Sequence, residues 1–266
     1  MKHLSLIAFV VLGSFYGLSS AGPAGLDAMA AGFGHSFFHF LTAAPQKETG
    51  PVTLETVLKK MDTVAANFRT TQANFEWDTY EKVIDETDDV ETGAVYYRRS
   101  GKNVEMMADV KQAGGSLSTL KPSPKYVLFA GGKVRMYQPK PDQVTEFDLG
   151  KSHSDWESYV VLGFGGSGQD LQKNFDVTYE GPETIDGVAT ARLRLIPKSD
   201  KVRNTYSRIL LWIDLDRGIS VQQQFFTPQG DYKLMKYSNI KLNERIPDDV
   251  FKLKTTSKTQ TVSPSG

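Results

Sequence analysis

Few side chains in this sequence are placed for covalent or metal chemistry. It has four histidines and no cysteine. His35 and His39 stand at i, i+4, which could set two imidazoles on one helical face, but a metal site needs further ligands and no Glu or Cys accompanies them. His3 falls in an N-terminal leader, and His153 has no nucleophile motif to serve, since no G-x-S-x-G occurs. Gly163-Phe164-Gly165-Gly166-Ser167-Gly168 has the spacing G-x-G-x-x-G, which binds dinucleotides only inside a βαβ unit. The flanks here read as antiparallel strands, and no Lys-Ser or Lys-Thr follows, so a hinge beside a helix is the expectation. Asp85, Glu86, Asp88, Asp89 and Glu91 lack the EF-hand glycine and its twelfth-position glutamate, and read as a solvated acidic turn. Arg98-Arg99 beside Tyr96-Tyr97 is an isolated basic pair. No catalytic residue, metal site or cofactor is expected.

Composition excludes further classes. Lys+Arg and Asp+Glu are both 31, so the formal charge is zero and nucleic acid is not an expected partner. Without cysteine there are no disulfides, and no lipid can be attached through a cysteine after a leader. Lys2, the uncharged run Leu4–Leu18 and Ser19-Ser20-Ala21 form a signal-peptide pattern, too short to span a membrane comfortably. Cleavage after Ala21 is expected, with Ala43-Ala44 as a second place. The mature chain is then exported, periplasmic, without an anchor and monomeric.

What remains must be positioned by ordinary elements. Residues 22–51 read as a linker or arm. Thr53 is a candidate N-cap with Glu55 in the first turn, and Leu54, Val57, Leu58, Met61, Val64, Ala65 and Phe68 form one helical apolar stripe. From Ala73 the period shifts to two. Strands are expected at 73–79, 92–99, 102–109, 125–130, 133–138, 143–149, 174–181, 187–196, 205–214, 218–226 and 231–242, separated by turn signals such as Gly131-Gly132 and Asp186-Gly187. Ser152–Leu162 and Gly168–Asn174 look helical. Ile246–Leu253 reads as a closing segment, and the polar tail from Thr255 is expected to fray. The strand faces carry Phe75, Trp77, Val95, Tyr97, Val104, Met106, Val134, Met136, Leu193, Leu195, Ile209, Leu211 and Ile213. A curved sheet with so much apolar surface and so thin a helical cover either packs tightly or encloses a ligand cavity.

Several segments resemble the LolA-like family of outer-membrane lipoprotein carriers, over about residues 52–253. They are Leu58–Phe68 with Gln72-Ala73-Asn74-Phe75, Gly93–Arg99, Val127–Pro139 with Gly132-Lys133 and Tyr137-Gln138-Pro139, Leu193–Lys198, and Ile246-Pro247-Asp248-Asp249-Val250-Phe251. The resemblance implies a mainly β (α+β) fold, an unclosed antiparallel β half-barrel of about eleven strands with a helical lid over a hydrophobic cavity. Its domain would be 52–255, after a 1–21 signal peptide and a 22–51 arm, and before a 256–266 tail. The apolar strand residues above would line the cavity. Leu54, Val57, Leu58, Met61 and Val64, with Trp156 and Tyr159 of the helical insert, would form the lid. The family's second-strand arginine, which holds the lid closed by hydrogen bonds, matches Arg99, and the strand period puts Arg99 on the face of Val95 and Tyr97. The implied function is a carrier for the acyl chains of lipoproteins or related lipids, loaded by an inner-membrane releasing complex and unloaded to an outer-membrane acceptor. The arm and the acidic turn depart from the family pattern. Two other readings stay open: a lipid-sensing module of the same fold that regulates a partner, and a hydrolase or isomerase using the pocket.

Overall fold

A computed structural model describes residues 51–101, 103–150 and 162–263. Helix α1, Leu54–Asn67, starts where the sequence places it. The Thr53 hydroxyl accepts from Thr56 N (3.2 Å), and the Thr56 hydroxyl accepts from Thr53 N (2.9 Å), so two donors of the first turn are satisfied reciprocally. Val57, Leu58, Met61 and Ala65 form its buried face. At Phe68 the backbone becomes extended and leads into the sheet.

The strands are β1 (Thr70–Glu81), β2 (Glu86–Ser100), β3 (Asn103–Gly114), β4 (Lys121–Ala130), β5 (Lys133–Gln138), β6 (Gln143–Asp148), β7 (Phe175–Ile185), β8 (Val188–Pro197), β9 (Arg208–Asp214), β10 (Ser220–Phe226), β11 (Tyr232–Leu242) and β12 (Gln260–Val262). Helix α2, Gly168–Asn174, precedes β7, and the single turn α3, Asp200–Arg203, follows β8. All twelve strands form one sheet in the order β12-β6-β5-β4-β3-β2-β1-β11-β10-β9-β8-β7. Two meanders, β1–β6 and β7–β11, join through the antiparallel pair β1–β11. The sheet ends at β12 and β7 and does not close into a barrel. Register shifts in β1, β2, β3, β7 and β10 add local twist and curvature.

Curvature separates two faces. Cross-strand partners share a face, and Phe75 opposes Tyr237 and Gly93, while Trp77 opposes Met235 and Glu91. These odd positions of β1 face the concave side, where the main core lies under α1. On the convex side, Met107 and Leu128 pack with Ile246 and Phe251 of the closing segment, whose Asp248–Phe251 stretch is a 3₁₀ turn. Arg98 fastens this segment: it pairs with Glu105 (2.6 Å) and Asp248, and its guanidinium lies 4.3 Å from the centre of the Phe251 ring.

Expectations change at the tail and at the acidic run. The sheet has a twelfth strand, in the tail expected to fray, and β12 pairs parallel with β6. Its anchor is polar: Asp142 accepts from the Thr256 (2.7 Å) and Thr259 (2.6 Å) hydroxyls, and its carbonyl accepts from Gln260 N (3.0 Å). The acidic run is not a turn, because β2 begins at Glu86 and pairs with β1 from there. Only Asp85, at φ 55°, lies in the turn, where it accepts from the Tyr80 hydroxyl. Among the described residues, no helix is long and apolar enough to cross a membrane. The signal-peptide and histidine readings at 1–39 and His153, and the helical reading of 152–161, lie outside the described residues.

Candidate functional site: a covered apolar trough

The strand residues expected to line a cavity come together. Phe75, Trp77, Val95, Tyr97, Val104, Met106, Val134, Met136, Leu193, Leu195, Ile209, Leu211 and Ile213 all belong to one buried cluster on the concave face. They reach it from β1, β2, β3, β5, β8 and β9 by strict alternation, so one period fills a surface that crosses both meanders. Phe75 and Trp77 stack at 3.9 Å between centroids, along the centre of the trough.

The cover is thin. Val57, Leu58 and Met61 of α1 enter the cluster, Leu54 packs against it, and Val64 is half-buried. Trp156 and Tyr159 lie outside the described residues. Helix α2 reaches α1 because residue 168 is glycine: a Cβ there would sit 2.7 Å from the carbonyl oxygen of Leu58. Gln169 N donates to the Asp62 carboxylate (3.2 Å), joining the two helices.

The glycine-rich segment runs from Leu162 to α2. It is not the turn of a βαβ unit, since β6 and β7 lie in opposite halves of the sheet and do not neighbour each other. Gly163 and Gly165 adopt φ of 78° and 97°. Phe164 between them is fully buried, its ring stacked on Tyr97 (5.1 Å) and edge-on to Tyr237 (4.5 Å). Each neighbouring carbonyl is held from the sheet. Leu162 O accepts from Gln223 Nε2 (2.6 Å), Gly163 O from Ser220 N (2.8 Å) and Gly165 O from Arg99 Nη2 (3.0 Å).

Arg99 therefore spans both parts of the cover. Its Nη1 donates to Ala65 O near the end of α1 (3.5 Å), and its guanidinium lies 5.3 Å from the centre of the Phe68 ring. Its neighbour Arg98 turns to the convex side and grips the closing segment instead. Strand alternation separates the two arginines, as the period predicts.

Sequence reasoning missed two features. Phe164 and Gln223 were not singled out; the available signal was a large aromatic inside a run of glycines. The second is a charged group at the opposite end of the trough. Glu91 and Asp89 face the concave side, opposite Trp77 and Thr79, and Glu91 forms a buried ion pair with Lys125 of β4. Lys233 of β11, opposite Thr79 and Phe225, is also buried. Burial is the main influence on Lys233, lowering its pKa to about 7, with Lys125 adding to the shift and Glu91 and Asp89 opposing it. Burial likewise raises the pKa of Asp89, and Glu91 adds to that. Beside Lys233 is a small pocket of about 30 Å³, bounded by Thr79, Tyr206, Phe225 and Thr227 among others. Glu91 and Lys125 lie 34 positions apart, so nothing local in the sequence marks the pair. The trough thus runs from a guanidinium at the covered end, over an aromatic floor, to paired charges at the other. Such a surface can hold an amphiphile.

No protein-family model matches the chain, and a search of curated proteins finds no match. Solved structures are similar in architecture. An uncharacterised conserved protein from Thermus thermophilus is 10% identical, with 79% of this chain and 98% of that one covered at a TM-score of 0.48. A LolA superfamily protein from Nitrosomonas europaea is 17% identical, with 76% and 99% covered at 0.37. The lipoprotein LppX of Mycobacterium tuberculosis is 15% identical, with 73% and 98% covered at 0.42. At these values no residue role passes from them to this chain.

Proposed function

We propose that the protein is an exported, periplasmic carrier that holds the acyl chains of lipoproteins or related lipids against the concave face of its open sheet. The observation that carries the reading is Arg99. It donates to Gly165 O and Ala65 O, so one side chain ties both parts of a thin cover over a continuous apolar trough. The cover packs into the apolar cluster through Val57, Leu58 and Met61 and is fastened by hydrogen bonds to carbonyls, so opening it costs that burial as well as those bonds. Burying a sixteen-carbon chain yields on the order of 10 kcal/mol at ~0.8 kcal/mol per CH₂. Breaking the latch and moving the cover offset part of that gain, which keeps cargo releasable. Loading from an inner-membrane complex and delivery to an outer-membrane acceptor complete the reading. Arg99 is its latch, and the apolar strand residues are its lining.

The test is binding of a dansyl-labelled undecanoic acid to delipidated, folded protein, with mass spectrometry of organic extracts from protein isolated in its native host. Binding in the micromolar range, about 8 kcal/mol, together with a copurified acylated species, supports the carrier. Absence of binding by folded protein overturns it. N-terminal sequencing of the exported protein tests the leader and should begin at Gly22.

A further inference from the structure

We propose that the slot between Tyr97 and Tyr237 is the subsite for the hydrocarbon terminus of an acyl chain, and that Phe164 is the protein's own stand-in for that terminus. The inference rests on the carrier reading and adds which part of the ligand goes where.

Phe164 is fully buried, yet it lies in a segment of glycines rather than in a strand or helix. Its ring meets the face of Tyr97 and the edge of Tyr237, so it fills a slot walled by two rings from β2 and β11. The hydrogen bonds that reach the segment from the sheet act on main-chain carbonyls: Gln223 on Leu162, Ser220 N on Gly163, Arg99 on Gly165. The segment can therefore withdraw the Phe164 ring by breaking these hydrogen bonds and its ring contacts, without unpairing a strand. Gln223 is buried, so its amide is costly to leave unpaired once the loop lifts, and that cost draws the loop back when the slot empties.

The slot's chemistry selects the ligand's tail over its head. Tyr97 and Tyr237 are both buried, and burial raises the pKa of both hydroxyls, keeping the slot uncharged. Charged groups that could meet a head group stand at the far end of the trough, Lys125, Glu91 and Lys233, while Arg99 beside the loop has its donors on Gly165 O and Ala65 O. A chain laid along the floor with its methyl end between the two tyrosine rings brings its head to the Glu91, Lys125 and Lys233 end of the trough. Phe164 and the ligand then compete for one place, and apparent affinity falls by the fraction of molecules whose slot is free.

The experiment uses the full mature chain carrying 4-fluorophenylalanine, with the Phe164 resonance assigned by its loss in Phe164→Leu, titrated with palmitic acid by ¹⁹F NMR. Affinities for wild type and Phe164→Leu are measured in parallel with the dansyl probe. Displacement of the Phe164 resonance on saturation, with roughly ten-fold tighter binding by Phe164→Leu, supports the stand-in. Palmitic acid binding with the Phe164 resonance unmoved overturns it and leaves the carrier reading intact. If wild type binds neither ligand, the carrier reading falls, and this inference with it. Should Phe164→Leu not fold, assignment by removing each other phenylalanine keeps the wild-type titration decisive.

Discussion

Gly165 lies so close to Phe68 that a Cβ at position 165 would stand 2.4 Å from the ring's Cγ. The glycine is also at φ 97°, where side chains are strained. Gly165→Ala should therefore lift the loop from the end of α1 and weaken the Arg99 contact. The expected result is a loss of about 1–2 kcal/mol in thermal unfolding together with faster exchange of bound dansyl fatty acid. Unchanged exchange would separate the loop from the gate.

Arg99→Leu removes the donors to Gly165 O and Ala65 O while placing an apolar side chain against an apolar wall. The fold should persist, and transfer of bound lipid to acceptor vesicles should change by roughly five-fold or more, the effect of one lost hydrogen bond to a charged group. Arg98→Leu is the control, because Arg98 faces the convex side. Equal transfer rates for wild type and both variants would remove Arg99 as the latch.

Lys233 sets a pH dependence whose sign can be worked out. Its pKa is about 7 in the folded chain against 10.5 as the ordinary value. Between those values the unfolded chain binds a proton that the folded chain does not, so stability rises with pH across that window. Above pH 10 the sign reverses, since Tyr97 and Tyr237 keep protons that they lose on unfolding. Thermal midpoints should climb from about pH 7 to about pH 9, and Lys233→Met should remove most of the climb. Parallel curves for the two proteins would assign the slope to other groups.

The closing segment braces the sheet from behind and should be separable from ligand handling. Phe251 is buried against Met107, Leu128 and Ile246, with Arg98 over its ring. Phe251→Ala should cost about 3 kcal/mol in chemical denaturation. Affinity for the dansyl fatty acid at low temperature should stay within about two-fold, because no concave residue is touched. A parallel loss of binding would couple the two faces.

Elements with strong local signals were legible without coordinates. The Thr53 cap, the apolar stripe of α1, the 133–138 strand and the succession of six strands, an insert and five strands follow from spacing and turn residues alone. So does the inward face of Arg99, because alternation along a strand is a local rule. Tertiary structure decided whatever depends on partners distant in sequence. Asp89 and Glu91 read as solvated until β1 and β4 bring Thr79, Trp77 and Lys125 beside them. The tail became a strand because Asp142, more than a hundred residues earlier, supplies acceptors for Thr256 and Thr259. Phe164 looked like part of a hinge because glycines on both sides hide any period, and only the meeting of β2 with β11 across β1 creates the slot that holds it. Spacing determines which way a side chain points, whereas the surface it meets there is set by long-range strand pairing.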